Sequence, residues 1–144
     1  MAHSLSPSIT HDDRFALAEL AARYAVAVDT RDFARLRDVF VADARLDSGR
    51  SVRDGIDAIL DAMQGLLRYD ATTHVLGQQL LEPHDGDIRG VTYCTAHHLT
   101  VADEQRTDRV MHIRYHDRFV PTDAGWRIAN RRLELVWIDE QPVN

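Results

Sequence analysis

Residues 69–82 read YDATTHVLGQQLLE. Successive side chains of a strand point to opposite faces of a sheet, so Thr72, His74, Leu76, Gln78 and Leu80 share one face of a half-buried run. Three more extended runs follow, near 88–102, 109–120 and 126–138, separated by the turn clusters PHDGD, DEQRTD and PTDAG. The second half of the chain therefore reads as a meander of long antiparallel strands.

The first half has a helical period. Thr10 and Asp13 make a capping box with Asp in the place of Glu, which starts a helix. Leu17, Leu20, Ala21, Tyr24 and Val28 fall on one side of it, and it runs to about Asp29. A second helix starts near Asp32 with Phe33, Leu36 and Phe40 as its apolar stripe, leaving Arg31, Arg35, Arg37 and Asp38 to water. Residues 43–53 form two short extended pieces around Ser48-Gly49. From Gly55, Ile56, Ile59, Leu60, Met63 and Leu67 recur at three- and four-residue steps and predict a third helix. Helices first and strands after define an α+β domain, with the helices covering one face of a curved antiparallel sheet. A sheet bent in this way encloses a cone with one open mouth, and concave, mostly apolar hollows hold small ligands.

Composition narrows the function. At 144 residues the chain fits a single domain, here residues 10–144. Residues 1–9 are polar, contain Pro7 and show no period, as a flexible N-terminal arm would. The net charge is −6 with no basic run, which disfavours nucleic acid and anionic membrane as partners. Cys94 is the sole cysteine, so neither an internal disulfide framework nor a cysteine-rich metal site is available. The N-terminus lacks the apolar core of a signal peptide and no stretch reaches bilayer-spanning length, so a soluble, cytoplasmic protein is expected.

Several polar residues sit on rows that otherwise face the core. His74 is either a core histidine with satisfied nitrogens or a general base held in one tautomer by a carboxylate. Arg131 extends the row Leu133, Leu135, Trp137 and must be salt-bridged or face a ligand, since a lone buried charge is costly. Tyr115 shares its row with Met111, Ile113, Asp117 and Phe119 and reads by default as a core tyrosine. His97 and His98 point to opposite faces. The small neighbours Cys94 and Ala96 favour His98 for a cavity wall, with Cys94 as a small buried hydrophobe. His112 and His116 lie two strand steps apart with no third ligand, so no metal is expected. Tyr24 reads as core. Asp29 reads as an exposed helix end, at a terminus where the macrodipole disfavours a carboxylate.

Taken in order, Tyr24, AVD ending at Asp29, TTH ending at His74 and GWRIANR ending at Arg131 resemble the SnoaL-like branch of the NTF2-like superfamily, over about residues 10–138. The resemblance implies a cone-shaped α+β barrel. It is similar to the scytalone dehydratase, hexachlorocyclohexane dehydrochlorinase and bile-acid 7-alpha-dehydratase members, in which a His–Asp dyad removes a proton. Carried over, His74 is the base, Asp29 its orienting carboxylate, and Tyr24 and Arg131 donors to a leaving group or oxyanion. His98 resembles a second pocket histidine able to act as the acid.

The implied function is a cofactor-independent, dehydratase-like lyase acting on an apolar cyclic or polyketide-like substrate. Leu46, Cys94, Met111, Ile113, Tyr115, Leu133 and Leu135 would contact that substrate, and the protein would be a homo-oligomer, dimer or trimer. The alternatives are an isomerase or cyclase using the same dyad, or a non-catalytic ligand-binding module like a dioxygenase small subunit. An epoxide-hydrolase-like reading would require an Asp-Arg-Asp set in place of the His74 dyad.

Overall fold

The computed structural model describes residues 8–144, so most of the expected N-terminal arm lies outside the described residues. Ile9, assigned to that arm, is instead partly buried against the core. Helix α1 spans His11–Asp29. Its start is the expected box: Thr10 Oγ1 accepts from the Asp13 N–H while the Thr10 N–H donates to Asp13. Leu17, Leu20, Ala21, Tyr24 and Val28 are all buried, one face of an uninterrupted 3.6-residue repeat.

The second helix is only a 3₁₀ turn, Phe33–Asp38. Phe40, placed in its stripe, instead opens strand β1 (Phe40–Asp47), which pairs with the short β2 (Val52–Asp54). Helix α2 covers Ile56–Met63 and tightens into a 3₁₀ turn, Gln64–Arg68. The tighter winding changes the phase of the apolar stripe. Leu66 therefore packs on the core and Leu67 is left 54 % exposed.

Four long strands follow: β3 (Ala71–His84), β4 (Asp87–Ala102), β5 (Gln105–Thr122) and β6 (Gly125–Pro142). They form the antiparallel meander read from the sequence. Asp85-Gly86 makes the first turn with both residues at positive φ, the left-handed pair that a two-residue hairpin needs. The sheet order is β2-β1-β6-β5-β4-β3. It is not wholly antiparallel, because β1 runs parallel to β6. With β2 and β3 at its two edges, the curved sheet stays open instead of closing into a barrel.

Two bulges alter the predicted faces. In β3 the register shifts between Leu76 and Gln79, and an extra residue switches the parity of everything beyond it. Leu81 is therefore buried and Leu80 is exposed, while Gln79 donates to Thr92 Oγ1 and reaches the Leu17 carbonyl on α1. Gln78, also assigned to the inner row, is exposed. A second shift lies between His112 and Ile113, where His112 faces Trp137 but Ile113 faces Leu135. The row Leu133, Leu135, Trp137 thus loses its alternation, and Trp137 is exposed and stacks on His112.

Candidate active site

Helix α1 ends in a Schellman turn. The Asp32 N–H donates to the Ala27 carbonyl and the Arg31 N–H to the Val28 carbonyl, with Arg31 in the left-handed conformation at φ 62°. That position usually belongs to glycine. Here it directs the Arg31 guanidinium to the Thr72 hydroxyl, the Tyr69 carbonyl and the Val28 carbonyl. Arg31 was expected in water; it is instead the tie between the helix end and β3.

The tie presents Asp29 to β3. Asp29 Oδ1 lies 2.7 Å from His74 Nδ1 and accepts from Thr72 Oγ1 at 2.9 Å, while Oδ2 accepts from the His74 backbone N–H at 2.7 Å. Burial pushes the Asp29 carboxyl up, but these bonds from the His74 ring, the His74 backbone and Thr72 outweigh it and hold it below the ordinary 3.8. An ionised carboxylate accepts only, so His74 donates from Nδ1, and in the neutral imidazole Nε2 is the acceptor. The His74 side chain is 6 % exposed.

His98, on the neighbouring strand, faces the same hollow, and its ring centroid is 6.1 Å from that of His74. The alternation of β4 puts His97 on the other face, where Nδ1 meets Asp108 at 2.6 Å. His98 Nδ1 is 3.0 Å from the Arg109 carbonyl, and a carbonyl can only accept, so that nitrogen carries the proton. Burial, aided by nearby His74, lowers the His98 pKa from 6.5. At neutral pH its Nε2 is therefore an acceptor. This geometry does not suit the acid role that the family resemblance implied for His98.

Tyr24, from α1, meets the His74 ring edge-on at 6.3 Å and Tyr115 at 5.7 Å. Arg131 lies behind these two rings, 4.3 Å from the Tyr24 centroid and 4.0 Å from that of Tyr115, a cation–π sandwich. It is 1 % exposed and gives Nε and Nη2 to the two oxygens of Asp117, its partner across β5 and β6. Burial works against the Arg131 charge, and Asp117 more than restores it. Of the two readings open for Arg131, the salt bridge is the one formed; its fork does not reach the cavity. Burial also raises the hydroxyl pKa of both tyrosines, which stay protonated.

These groups surround a cavity of about 290 Å³. Leu46, Met111, Ile113, Tyr115 and Leu133 line it, together with Tyr24, His74 and His98. Two expected contacts are absent from its wall. Leu135 keeps the register of Leu133 and Arg131 but is 37 % exposed. Cys94 is buried in the core, where burial pushes its thiol up to about 11. The sequence reading missed the opposite wall, made by Ser48, Ser51 and Arg53 of the β1–β2 hairpin and by Met63, Leu66, Arg68 and Tyr69 of α2 and its 3₁₀ extension. Tyr69 packs 4.8 Å from the His98 ring. Asp117 was visible as an acid on an apolar row of β5; no periodicity marks Arg31 or Arg53.

An open curved sheet laid over N-terminal helices is the NTF2-like fold, here with a histidine–carboxylate pair at its hollow. Within it, residues 10–132 match the model of the SnoaL-like domain, and the chain belongs to that family. Similar solved structures include the Kfla4162 protein of Kribbella flavida, with a TM-score of 0.81 at 19 % identity over 89 % of this chain and 93 % of that one. A scytalone-dehydratase-like protein of Novosphingobium aromaticivorans scores 0.80 at 18 % identity, covering 92 % and 90 %. The type-3 hexachlorocyclohexane dehydrochlorinase LinA of Novosphingobium barchaimii scores 0.77 at 18 % identity, with the same coverage. No curated protein sequence matches the chain. No helix among the described residues is long and apolar enough to cross a membrane.

Proposed function

We propose that the protein is a cofactor-independent lyase of dehydratase type, with His74 as the base and Asp29 as the carboxylate that orients it. The observation that carries this reading is the 2.7 Å contact between Asp29 and Nδ1 of His74, whose ring lines the cavity. It holds the neutral imidazole in the tautomer with Nε2 free to accept a proton, as a general base requires. Two of the similar structures bear names of elimination enzymes, a dehydratase and a dehydrochlorinase.

The reaction that fits is loss of water from a small apolar ring or polyketide-like compound with a hydroxyl β to a carbonyl. His74 Nε2 takes the proton α to the carbonyl. The Tyr24 and Tyr115 hydroxyls, protonated and in the same wall, donate to the enolate oxygen that develops. His98 Nε2 accepts from the β-hydroxyl and holds it in place. As the C–O bond breaks, the imidazolium of His74 returns its proton to the departing oxygen, so water leaves and the base is regenerated. Arg131 acts through the two tyrosine rings, and Asp117 keeps it there. On the same reading the protein works in the cytoplasm as a homo-oligomer, which light scattering on the purified chain tests.

The chemical test is a panel of cyclic β-hydroxy ketones. Turnover gives a conjugated product seen by its ultraviolet absorbance, and in D₂O the recovered substrate gains deuterium at the α carbon wherever proton removal is reversible. His74→Ala abolishes both signals. Elimination at an unchanged rate in that variant would remove the mechanism.

A further inference from the structure

We propose that the cavity selects a substrate whose apolar body carries an anionic oxygen group, a carboxylate or phosphate, with Arg53 and Arg68 as the groups that hold it. This deepens the dehydratase reading and rests on it for the identity of the site. No aspartate or glutamate is among the cavity-lining residues, yet two guanidinium groups are. The chain as a whole carries 23 acidic residues against 17 basic ones, so a wall with arginine and no acid is not the background composition of this surface.

Neither arginine has a carboxylate within hydrogen-bonding distance among the described residues. Arg53 Nε is buried without a hydrogen-bond partner, and its one ion pair, to Asp61, is 3.9 Å at Nη1, beyond hydrogen-bonding distance. A buried donor without a partner is costly, and an acceptor on a bound ligand is one way to satisfy it. Arg68 stacks over Tyr69 at 4.9 Å and donates to its hydroxyl at 3.1 Å, with no carboxylate in ion-pair range among the described residues. Arg131, in the core, also keeps one buried nitrogen, Nη1, without a partner, but its charge is matched by both oxygens of Asp117. Planar guanidinium forks recognise carboxylate and phosphate oxygens in pairs. Asp29 is already bound to His74 and Thr72 and is not among the cavity-lining residues.

The test is calorimetric binding of 2-naphthoate, 2-naphthyl phosphate and the neutral 2-naphthamide to the intact chain. Wild type should bind one of the anions about tenfold or more tightly than the amide, the effect of one charged hydrogen-bond pair. The preferred anion tells carboxylate from phosphate. Arg53→Met combined with Arg68→Met should bring anion and amide to parity while amide binding is unchanged, which also reports that the cavity is still folded. His74→Ala should keep the anion preference. The proposal is overturned by equal binding of anion and amide to wild type, by a preference that survives the double variant or is lost in His74→Ala, or by no binding of any probe at millimolar concentration. Each outcome is independent of turnover, so the elimination mechanism stands or falls separately.

Discussion

Replacing Asp29 by asparagine isolates what the carboxylate does, because the shape is kept and one acceptor becomes a donor. The wild-type carboxylate accepts three hydrogen bonds, from Thr72 Oγ1, the His74 N–H and His74 Nδ1. An asparagine must turn its amide nitrogen toward one side of that set. It cannot face the backbone N–H of His74 at 2.7 Å, since a peptide nitrogen has no second protonation state. The imidazole does. The amide oxygen therefore takes the backbone side, and the amide nitrogen donates to His74 Nδ1. The ring proton then moves to Nε2, the atom that faces the cavity.

Two magnitudes follow. A base locked in the wrong tautomer loses about 10²- to 10⁴-fold in rate, the usual contribution of general-base catalysis. Stability falls by about 1.5–3 kcal/mol, the worth of a hydrogen bond to a charged group, as one such contact becomes neutral. Nitrogen-15 chemical shifts of the His74 ring read the tautomer directly, and the elimination assay reads the rate. If Asp29→Asn eliminates within a few-fold of wild type while its Nε2 carries the proton, the reasoning from tautomer to base is wrong.

Other perturbations have equally definite directions. Asp117→Asn should lower stability by about 3–5 kcal/mol in chemical denaturation, because it leaves the buried Arg131 charge without its carboxylate; Asp117→Leu combined with Arg131→Met should recover much of that loss. Gly90→Ala should destabilise by about 1–3 kcal/mol as overpacking, since a Cβ there meets Phe119 at 2.7 Å and Leu81 at 3.0 Å. His98 is held neutral by burial, with its pKa below the unfolded 6.5, so the unfolded chain binds more protons between the two values. The His98 contribution is therefore complete above 6.5 and is lost as pH falls from there through the depressed folded value. Denaturation midpoints taken across that interval should flatten in His98→Asn, whose side-chain amide can still donate to the Arg109 carbonyl.

Much of the fold was open to sequence reading because it depends on local period. Four strands with turn clusters between them, and a capped first helix, follow from alternation and capping, which few neighbours are needed to decide. The misreadings fall where a single extra or missing residue changes phase. The bulge in β3 moves Leu80 outward and Leu81 inward; the bulge between β5 and β6 carries Trp137 out of the row formed by Arg131, Leu133 and Leu135. No periodicity count can see a bulge, since each half of the strand still alternates. The parallel pairing of β1 with β6 is invisible for a different reason: it joins segments far apart in the chain, Phe40 with Ile128 and Asp47 with Arg132.

The site divides along the same line. His74, His98, Tyr24 and the apolar wall were legible because each sits on a row whose direction the strand or helix dictates. The Asp29–His74 contact was implied only by the family resemblance, since a carboxylate at the last turn of α1 is directed by where that helix ends. The ending depends on Arg31 holding a left-handed conformation and on its guanidinium reaching Thr72 and Tyr69. Thr72 then both accepts from Arg31 and donates to Asp29, so the orientation of the base is set by a chain of three polar contacts that begins at a strained residue. A left-handed arginine costs about 1–3 kcal/mol, and nothing in the core requires it. Arg31→Gly would relieve that strain and remove the tie together. If Asp29 is held by the tie, this variant should lower the elimination rate while leaving the thermal midpoint nearly unchanged, and Arg31→Lys should restore the rate only in part. A fall in stability with an unaltered rate would mean that Arg31 serves the fold alone and that the helix end is placed by its backbone turn.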